Sequence, residues 1–256
     1  MAPLFAALTT TLVFCAPGYP GTAGDAQPLV DAFAQAAASA AQWPGGSLAA
    51  IYDPTEEGGL AKLQSADSAV AFVPYPFFVE HGARLNLRPL LQADVTGIGI
   101  QQRWTLMAQH GHASTPQALA GYQIASTAGY APAFVRNVAL ASWPVPADTR
   151  VSFAGQTLSV LRKVAAGEMM AVLLDQEQTA AVATLPFSSQ LESLVQSSPV
   201  PIALIAVVDP RLAPSRVDSL KNGLLKLAGT PQGAAALGPL RLKGFVTPQL
   251  PHTASP

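Results

Sequence analysis

The chain has 256 residues, half of them hydrophobic and only 11% charged, with a formal net charge of −1 at pH 7. A near-neutral chain lacks the basic stripe that displaces counterions from a nucleic acid, so we expect no nucleic-acid partner. A single cysteine, Cys15, excludes an internal disulfide framework. The length suffices for one large domain or two modest ones with a sizeable core.

The apolar segment PLFAALTTTLVFC (3–15) has two interpretations, a signal peptide or a first strand. A signal peptide starts with basic residues, whereas the first lysine here is Lys62. The segment is also too short to span a bilayer, and its three consecutive threonines favour a strand. We therefore predict a buried first strand at 4–14 and find no signal peptide evident in this chain.

The first hundred residues alternate strand and helix patterns. The alanine-rich segment 25–42 repeats apolar residues at helical spacing, which predicts a helix. We further predict a strand at 47–52, a helix at 56–64 and a strand at 69–73. Short apolar runs bounded by turn residues are typical of strands that are covered on both faces, so these βα units indicate a mainly parallel sheet between helices.

A second series of βα units follows a longer extended stretch at 97–108. Its predicted elements are strand 122–126, helix 131–140, strand 150–154, helix 156–166, strand 170–174 and helix 176–184. After it, the pattern predicts another strand within 197–208 and two helices, at 215–227 and 230–237.

The segment after residue 200 is too short to form a core of its own, so we expect it to pack on the first block. This arrangement predicts an α/β protein of two lobes joined by two crossing strands, with a ligand cleft between the lobes. Lobe 1 would combine 1–100 with 201–256, and lobe 2 would be 101–200. Each lobe would be a mainly parallel sheet flanked by helices.

Ligands of open α/β sheets bind beyond the carboxyl ends of the strands. Four of the five tyrosines lie at predicted strand ends: Tyr19, Tyr52, Tyr75 and Tyr130. Each one alone is typical of a boundary residue with its hydroxyl in water, but together they indicate a binding site. Asp53 and Asp175 also follow predicted strands and are candidate acceptors.

The turn after strand 122–126 reads Ser126-Thr127-Ala128-Gly129-Tyr130 and leads into a helix. Free amide N–H groups and the helix dipole attract an anion at such a turn, and hydroxyls add donors. The alternative is an ordinary cap, in which Ser126 or Thr127 serves only the helix. The turn alone is more typical of a cap, and its place among tyrosine-bearing strand ends favours an anion cradle.

Catalytic motifs are weak in this sequence. Ser126 or Thr127, His110 or His112, and Asp175 can be combined into a triad on paper, but the chain has no GxSxG elbow. The HGH segment lacks metal-site spacing and is typical of a solvated loop. We therefore expect no enzyme, no metal and no cofactor.

Five segments, in chain order, carry a family resemblance: ADSAVAFVPYPFFVEHGARLNLRPLLQADVTG (66–97), ALAGYQIASTAGYAPAFV (118–135), GEMMAVLLDQEQTAA (167–181), SPVPIALIAVVDPRLAP (198–214) and ALGPLRLKGFVTP (236–248). In this series the chain resembles the phosphate/phosphonate-type periplasmic solute-binding proteins of ABC importers. The resemblance implies the two-lobed type 2 periplasmic binding fold and anion-binding groups at Ser126, Thr127 and Gly129, with Asp175 at the cleft. It also implies a monomer that is periplasmic, or exported and membrane-tethered, and that delivers a small anionic solute to a membrane permease.

Two departures from the family pattern bear on the ligand. Ala128 and Tyr130 occupy part of a turn in which the family often carries more hydroxyls, and the strand ends are rich in tyrosine. Both favour a ligand larger or more aromatic than phosphate. The predicted ligand-binding residues are Tyr19, Tyr52, Asp53, Tyr75, Ser126, Thr127, Ala128, Gly129, Tyr130 and Asp175. The alternative function is a ligand-sensing domain or an enzyme on the same scaffold that acts on a small, more aromatic metabolite.

Overall fold

The computed structural model describes residues 9–19 and 21–251. The first part of the chain alternates strands and helices. Its elements are β1 (Thr10–Cys15), α1 (Ala23–Ala40), β2 (Leu48–Asp53), α2 (Glu56–Gln64), β3 (Ser68–Pro74), α3 (Tyr75–His81) and β4 (Leu87–Val95). The predicted first strand is present from Thr10 onward, and residues 4–8 of that prediction lie outside the described residues.

The middle of the chain forms a second series of strands and helices. Its elements are β5 (Gln101–Gln102), β6 (Thr105–Gln109), β7 (Gln123–Ser126), α4 (Pro132–Phe134), β8 (Arg150–Phe153), α5 (Thr157–Ala165), β9 (Met170–Leu174), α6 (Gln176–Val182) and β10 (Leu191–Gln196). Helix α4 continues directly into a π-helical turn at Val135–Ala139.

The last part of the chain contains five elements. They are β11 (Val200–Pro201), β12 (Ala203–Val208), α7 (Pro214–Lys226), α8 (Pro231–Leu237) and β13 (Leu242–Val246). Among the described residues, none of the helices has both the length and the apolar composition needed to cross a bilayer.

The strands form two main sheets. The first has the order β13-β4-β12-β3-β1-β2 and the second the order β10-β6-β9-β7-β8. In the first sheet β1, β2, β3 and β4 run in one direction, and β12 and β13 run against them. In the second sheet only β6 opposes the other strands. Most strands of each sheet share one direction, but three of the five neighbouring pairs in the first sheet and two of the four in the second are antiparallel, so both sheets are mixed. Strand β12 is reversed because the chain re-enters the first sheet from the side of the second.

Two short strands cross between the sheets. Strand β5 pairs antiparallel with β11, with Gln102 opposite Val200. The predicted extended stretch 97–108 is interrupted, because the chain turns at Gly97 and Gly99, where φ is +86° and +100°. We refer to each main sheet with its flanking helices as the first and the second lobe.

Four elements are absent from the sequence-based prediction: α3, β4, β10 and β13. Strand β4 contains Pro89, where its register with β12 shifts, and a proline argues against a central strand. Strand β10 (LESLVQ) has no continuous apolar run and is held by antiparallel pairing with β6. Pairing between distant segments stabilises these strands, so local periodicity does not reveal them.

The core of the first lobe contains four phenylalanines from different elements. The ring of Phe14 lies edge-on to Phe33 at 5.4 Å and to Phe72 at 5.1 Å. Phe245 closes the group, at 5.9 Å from Phe33 and 6.1 Å from Phe72. Edge-to-face pairs of this kind fix the orientation of each ring, so β1, α1, β3 and β13 are held together beneath the carboxyl edge of the sheet.

Strand β2 lies at one edge of the first sheet, and a side chain covers part of that edge. The Gln27 amide donates to the carbonyl oxygen of Ala50 at 2.8 Å and accepts from the Tyr52 amide at 3.2 Å. Gln27 lies on α1, so this helix supplies hydrogen-bond partners for two backbone groups on the side of β2 that has no neighbouring strand.

Candidate functional site

The carboxyl ends of strands from both sheets meet where the lobes face each other. A cavity of about 250 Å³ lies along this edge of the first sheet. Its lining includes Phe14, Tyr19, Tyr52 and Phe72 from the first lobe, with Asp175 and Glu177 from the second. The cavity therefore lies between the lobes, at the position where open α/β sheets bind ligands.

Tyr19 and Tyr52, two of the tyrosines at predicted strand ends, line the cavity. Tyr19 keeps about half of its surface exposed, yet desolvation by the surrounding atoms, with the nearby carboxylates of Asp175 and Glu177, raises the pKa of its phenol to about 12. Burial also raises the pKa of Tyr52. Both phenols are thus neutral at physiological pH and offer a donor beside an aromatic face.

Tyr75 and Asp53 lie elsewhere. Tyr75 is buried, stacks on Phe78 at 6.3 Å and meets Phe134 edge-on at 6.1 Å. The Asp53 carboxylate accepts from the Thr55 amide at 2.9 Å and forms an ion pair with Lys62. The structure thus gives both residues internal partners and places neither on the cavity wall.

The predicted anion turn is built around Ser126. Its hydroxyl donates to the Leu173 carbonyl at 2.8 Å and accepts from the Ala128 amide at 3.1 Å, and its carbonyl accepts from the Gly129 amide at 3.0 Å. Ser126 is buried, so this side chain organises the turn internally. The Ala128 and Gly129 amides are likewise used within the turn.

Only a glycine fits at position 129, because the backbone of the turn passes close to β8. A Cβ atom at this position would lie 1.9 Å from the carbonyl oxygen of Ser152. The same turn also contacts the loop after β1, since a Cβ on Gly18 would lie 2.8 Å from the Thr127 carbonyl oxygen. Gly129 therefore lets the turn pack on β8 of its own sheet, and Gly18 lets the first lobe pack against the same turn.

Donors remain at the turn after these bonds are counted. Within the described part of the chain, the amides of Thr127 and Tyr130 and the Thr127 hydroxyl have no hydrogen-bond partner. The next amide along the helix, that of Ala133, donates to the Glu80 carboxylate at 2.8 Å. A carboxylate from α3 thus already occupies part of this helix start, which is the position that suits a negative group.

Tyr130 closes the turn against aromatic neighbours. Its ring lies 6.4 Å from that of Phe153, and burial raises its pKa well above the ordinary value for a tyrosine, with Tyr19 adding to the rise. Phe153 itself is 52% exposed at the end of β8. Tyr130 therefore lies between the two lobes, and the Phe153 ring is exposed to solvent.

Asp175 lies at the start of α6 and also borders the cavity. Its carboxylate accepts from the Gln178 amide at 2.8 Å, and the Gln178 side chain accepts from the Asp175 amide, forming a capping box. Burial raises the pKa of this carboxyl, and the neighbouring Glu177 adds to the rise. Asp175 thus borders the cavity but has its cap as a standing partner.

Arg241 and Glu177 form a contact that the sequence does not indicate. Two bonds join the guanidinium to the carboxylate, at 2.5 and 3.4 Å, across the boundary between β13 and α6. Both residues border the cavity. They are 64 positions apart, so no local pattern predicts the contact.

The residues that could be combined into a catalytic triad from the sequence do not lie together in the structure. His110 lies on an exposed loop with Nδ1 at 3.4 Å from Glu192, whereas the Ser126 hydroxyl is bonded to Leu173. Among the described residues, no group of three histidine, cysteine or acidic side chains is arranged to hold a metal ion.

The fold and this site define a two-lobed binding protein, and a comparison of sequences gives its family. A family profile described as "ABC transporter, phosphonate, periplasmic substrate-binding protein" matches residues 111–252, more than half of the chain. The chain therefore belongs to this family of periplasmic substrate-binding proteins. No curated protein sequence matches it.

Solved structures of low sequence identity share the fold. XAC2383 from Xanthomonas citri, bound to a chloride ion, is 18% identical with a TM-score of 0.68, over 95% of this chain and 92% of that one. PhnD1 from Prochlorococcus marinus, in complex with methylphosphonate, is 12% identical with a TM-score of 0.63, over 94% and 93%. A binding-protein component of an ABC phosphonate transporter from Pseudomonas aeruginosa is 12% identical with a TM-score of 0.61, over 93% and 80%. The two-lobed type 2 periplasmic binding fold is thereby confirmed.

Proposed function

We propose that this substrate-binding protein captures a phosphonate- or phosphate-like anion between its lobes and delivers it to a membrane permease of an ABC importer. The observation that carries the proposal is a set of donors in the turn before α4, the Thr127 hydroxyl and the Thr127 and Tyr130 amides, which have no hydrogen-bond partner among the described residues. Clustered donors in a turn that leads into a helix suit an oxyanion. The family is one of binding proteins, which agrees with the expectation that the chain is not an enzyme.

The two hydroxyls of the turn have different roles in this proposal. Ser126 shapes the turn through its bonds to Leu173 and Ala128, and Thr127 contacts the anion. Because Glu80 already takes the Ala133 amide, the donors left to a ligand are those nearest the cleft. Charge-assisted hydrogen bonds contribute about 1.5–3 kcal/mol each, so two or three of them support specific capture.

The remainder of the ligand would contact Tyr19 and Tyr52, with Asp175 as an acceptor at the cleft. We propose that closure brings lobe 2 (101–200) towards lobe 1 (1–100 with 201–256) about the paired crossing strands β5 and β11. Closure of this kind replaces water around the anion by fixed donors, which is how preorganisation contributes to affinity.

Calorimetric titration of the folded protein with phosphate, phosphite, methylphosphonate and 2-aminoethylphosphonate tests the proposal. We expect saturable binding of at least one of these oxyanions with a stoichiometry of one. A folded protein that binds none of them would show that the ligand is of another class.

The role of Thr127 is tested separately with Thr127→Ala. We expect the dissociation constant of the bound oxyanion to rise by more than about tenfold, since a lost hydrogen bond to a charged group costs more than 1.4 kcal/mol. Thr184→Ala, at an exposed position beyond α6, is the matched control and should leave binding unchanged. Equal affinities of Thr127→Ala and the control would exclude the turn as the anion site.

A further inference from the structure

We infer that the ligand carries a hydrophobic organic body, an aryl or branched alkyl group, which occupies the cavity while the anionic group lies at the 126–130 turn. The inference rests on the proposed function and specifies its substrate class. It starts from the separation of the two places. No residue of the turn lines the cavity, and the loop after β1 joins them, with Gly18 against Thr127 and Tyr19 on the cavity wall.

The cavity walls are mostly apolar and are held in place. Phe14 and Phe72 form one side and are fixed by their edge-to-face contact at 5.1 Å. Ile98, Ile202 and Leu240 line the cavity as well. Packed walls of this kind do not collapse easily onto an empty space. The cavity therefore offers an apolar surface on which the hydrophobic part of a ligand can pack.

The size of the cavity decides between small and large phosphonates. An apolar cavity of about 150 Å³ is large enough to bind benzene, and the cavity here measures about 250 Å³. Phosphate or methylphosphonate at the turn would leave nearly all of it empty, whereas a phenyl or branched alkyl group would fill a large part. An occupant of that size also excludes water from the anion site.

Most of the charged side chains at the cavity are already partnered. Glu177 pairs with Arg241, and Asp175 caps α6. Gln102 is uncharged, is only 5% exposed and borders the cavity. Its side-chain amide can form a hydrogen bond with one polar substituent on the hydrophobic body. The cavity thus fits an amphipathic organic anion.

The test compares phosphate, methylphosphonate, phenylphosphonate and benzenesulfonate as calorimetric probes of the full chain. We expect phenylphosphonate to bind at least about tenfold more tightly than methylphosphonate, the gain given by burying roughly 50–60 Å² of additional apolar surface. Equal or tighter binding of methylphosphonate would overturn the inference and leave the proposed function in place.

Two variants locate the hydrophobic body. Ala203→Leu extends a cavity-lining side chain into the space and should abolish the preference for phenylphosphonate while methylphosphonate affinity stays within about twofold. Ala49→Leu, at an exposed position of β2 in the same sheet, is the matched control. Ile98→Ala, in a half-buried turn, is a second variant that tests the inference even if Ala203→Leu does not fold. It should weaken the binding of phenylphosphonate selectively. Unchanged preference in both Ala203→Leu and Ile98→Ala would place the aryl group elsewhere and reject the inference.

The probes also separate the two proposals. Tight binding of benzenesulfonate with no binding of any phosphonate, lost in Ala203→Leu, would support the hydrophobic body and reject the phosphonate ligand. A folded protein that binds none of the four probes would reject both.

Discussion

Arg241 and Glu177 join the two lobes through a pair of hydrogen bonds at the rim of the cavity, 2.5 and 3.4 Å long. Both side chains are more than half exposed to solvent, so the pair is screened by water and adds little to folding stability. Its position across the lobe boundary gives it a different effect, because opening the lobes must break it.

We expect Arg241→Ala to increase the radius of gyration of the ligand-free protein, measured by small-angle X-ray scattering, because a contact that joins the lobes at the cavity rim is lost. The melting temperature should stay unchanged. Arg88→Ala is the matched control, because it removes a similarly exposed ion pair, with Asp209, that lies entirely within the first lobe. An equal change in both variants would show that the Arg241 contact has no special role in closure.

Gly129 is expected to tolerate no side chain. A Cβ atom there would lie 1.9 Å from the Ser152 carbonyl oxygen, and this backbone cannot move aside without disturbing β8. We expect Gly129→Ala to lower the free energy of unfolding by about 2 kcal/mol or more, measured by urea denaturation. Gly155→Ala is the control, since its nearest neighbour is the Phe153 ring at 3.7 Å, and should change stability by less than about 0.5 kcal/mol. A Gly129→Ala protein as stable as the control would contradict the close approach.

Asp175 gives a pH-dependent prediction. Burial and the neighbouring Glu177 raise its pKa, so the folded protein takes up a proton at this carboxyl at higher pH than the unfolded chain does. The stabilising contribution of this group is therefore fully present below the ordinary pKa of 3.8 and is lost as pH rises through the folded pKa.

We expect Asp175→Asn, which can still cap α6, to be at least as stable as the natural protein at pH 7. The stability difference between the variant and the natural protein should decrease on acidification from pH 7 to pH 4, measured by urea denaturation at each pH. Gln178 is left intact, so the helix cap is preserved in the comparison. A difference that grows on acidification would contradict the raised pKa.

Much of the fold is predictable because it depends on local patterns. The apolar spacing of α1 and the short apolar runs of β7 and β9 specify these elements without help from distant residues. Strand β10 is different, since its polar sequence becomes a strand only through pairing with β6. Contacts between segments far apart in sequence are invisible to local periodicity.

The site is less predictable for a related reason. A strand end places Tyr19, Tyr52 and Tyr75 at one edge of the sheet, yet it does not determine where each ring points. Tyr19 and Tyr52 face the cavity, and Tyr75 is buried against Phe134. The roles of the ten predicted ligand-binding residues stay predictions until a ligand is bound. Ile98 and Arg241 reach the cavity from turns with no sequence signal for a binding role.

The bond between Gln27 and the edge of β2 has a consequence for the behaviour of many copies together. An uncovered edge strand is a template on which another chain can add a strand of its own. Here the Ala50 carbonyl and the Tyr52 amide are already taken by one side chain. Edge-to-edge aggregation at this strand must first displace Gln27, so the side chain protects this edge from the addition of a strand from another copy.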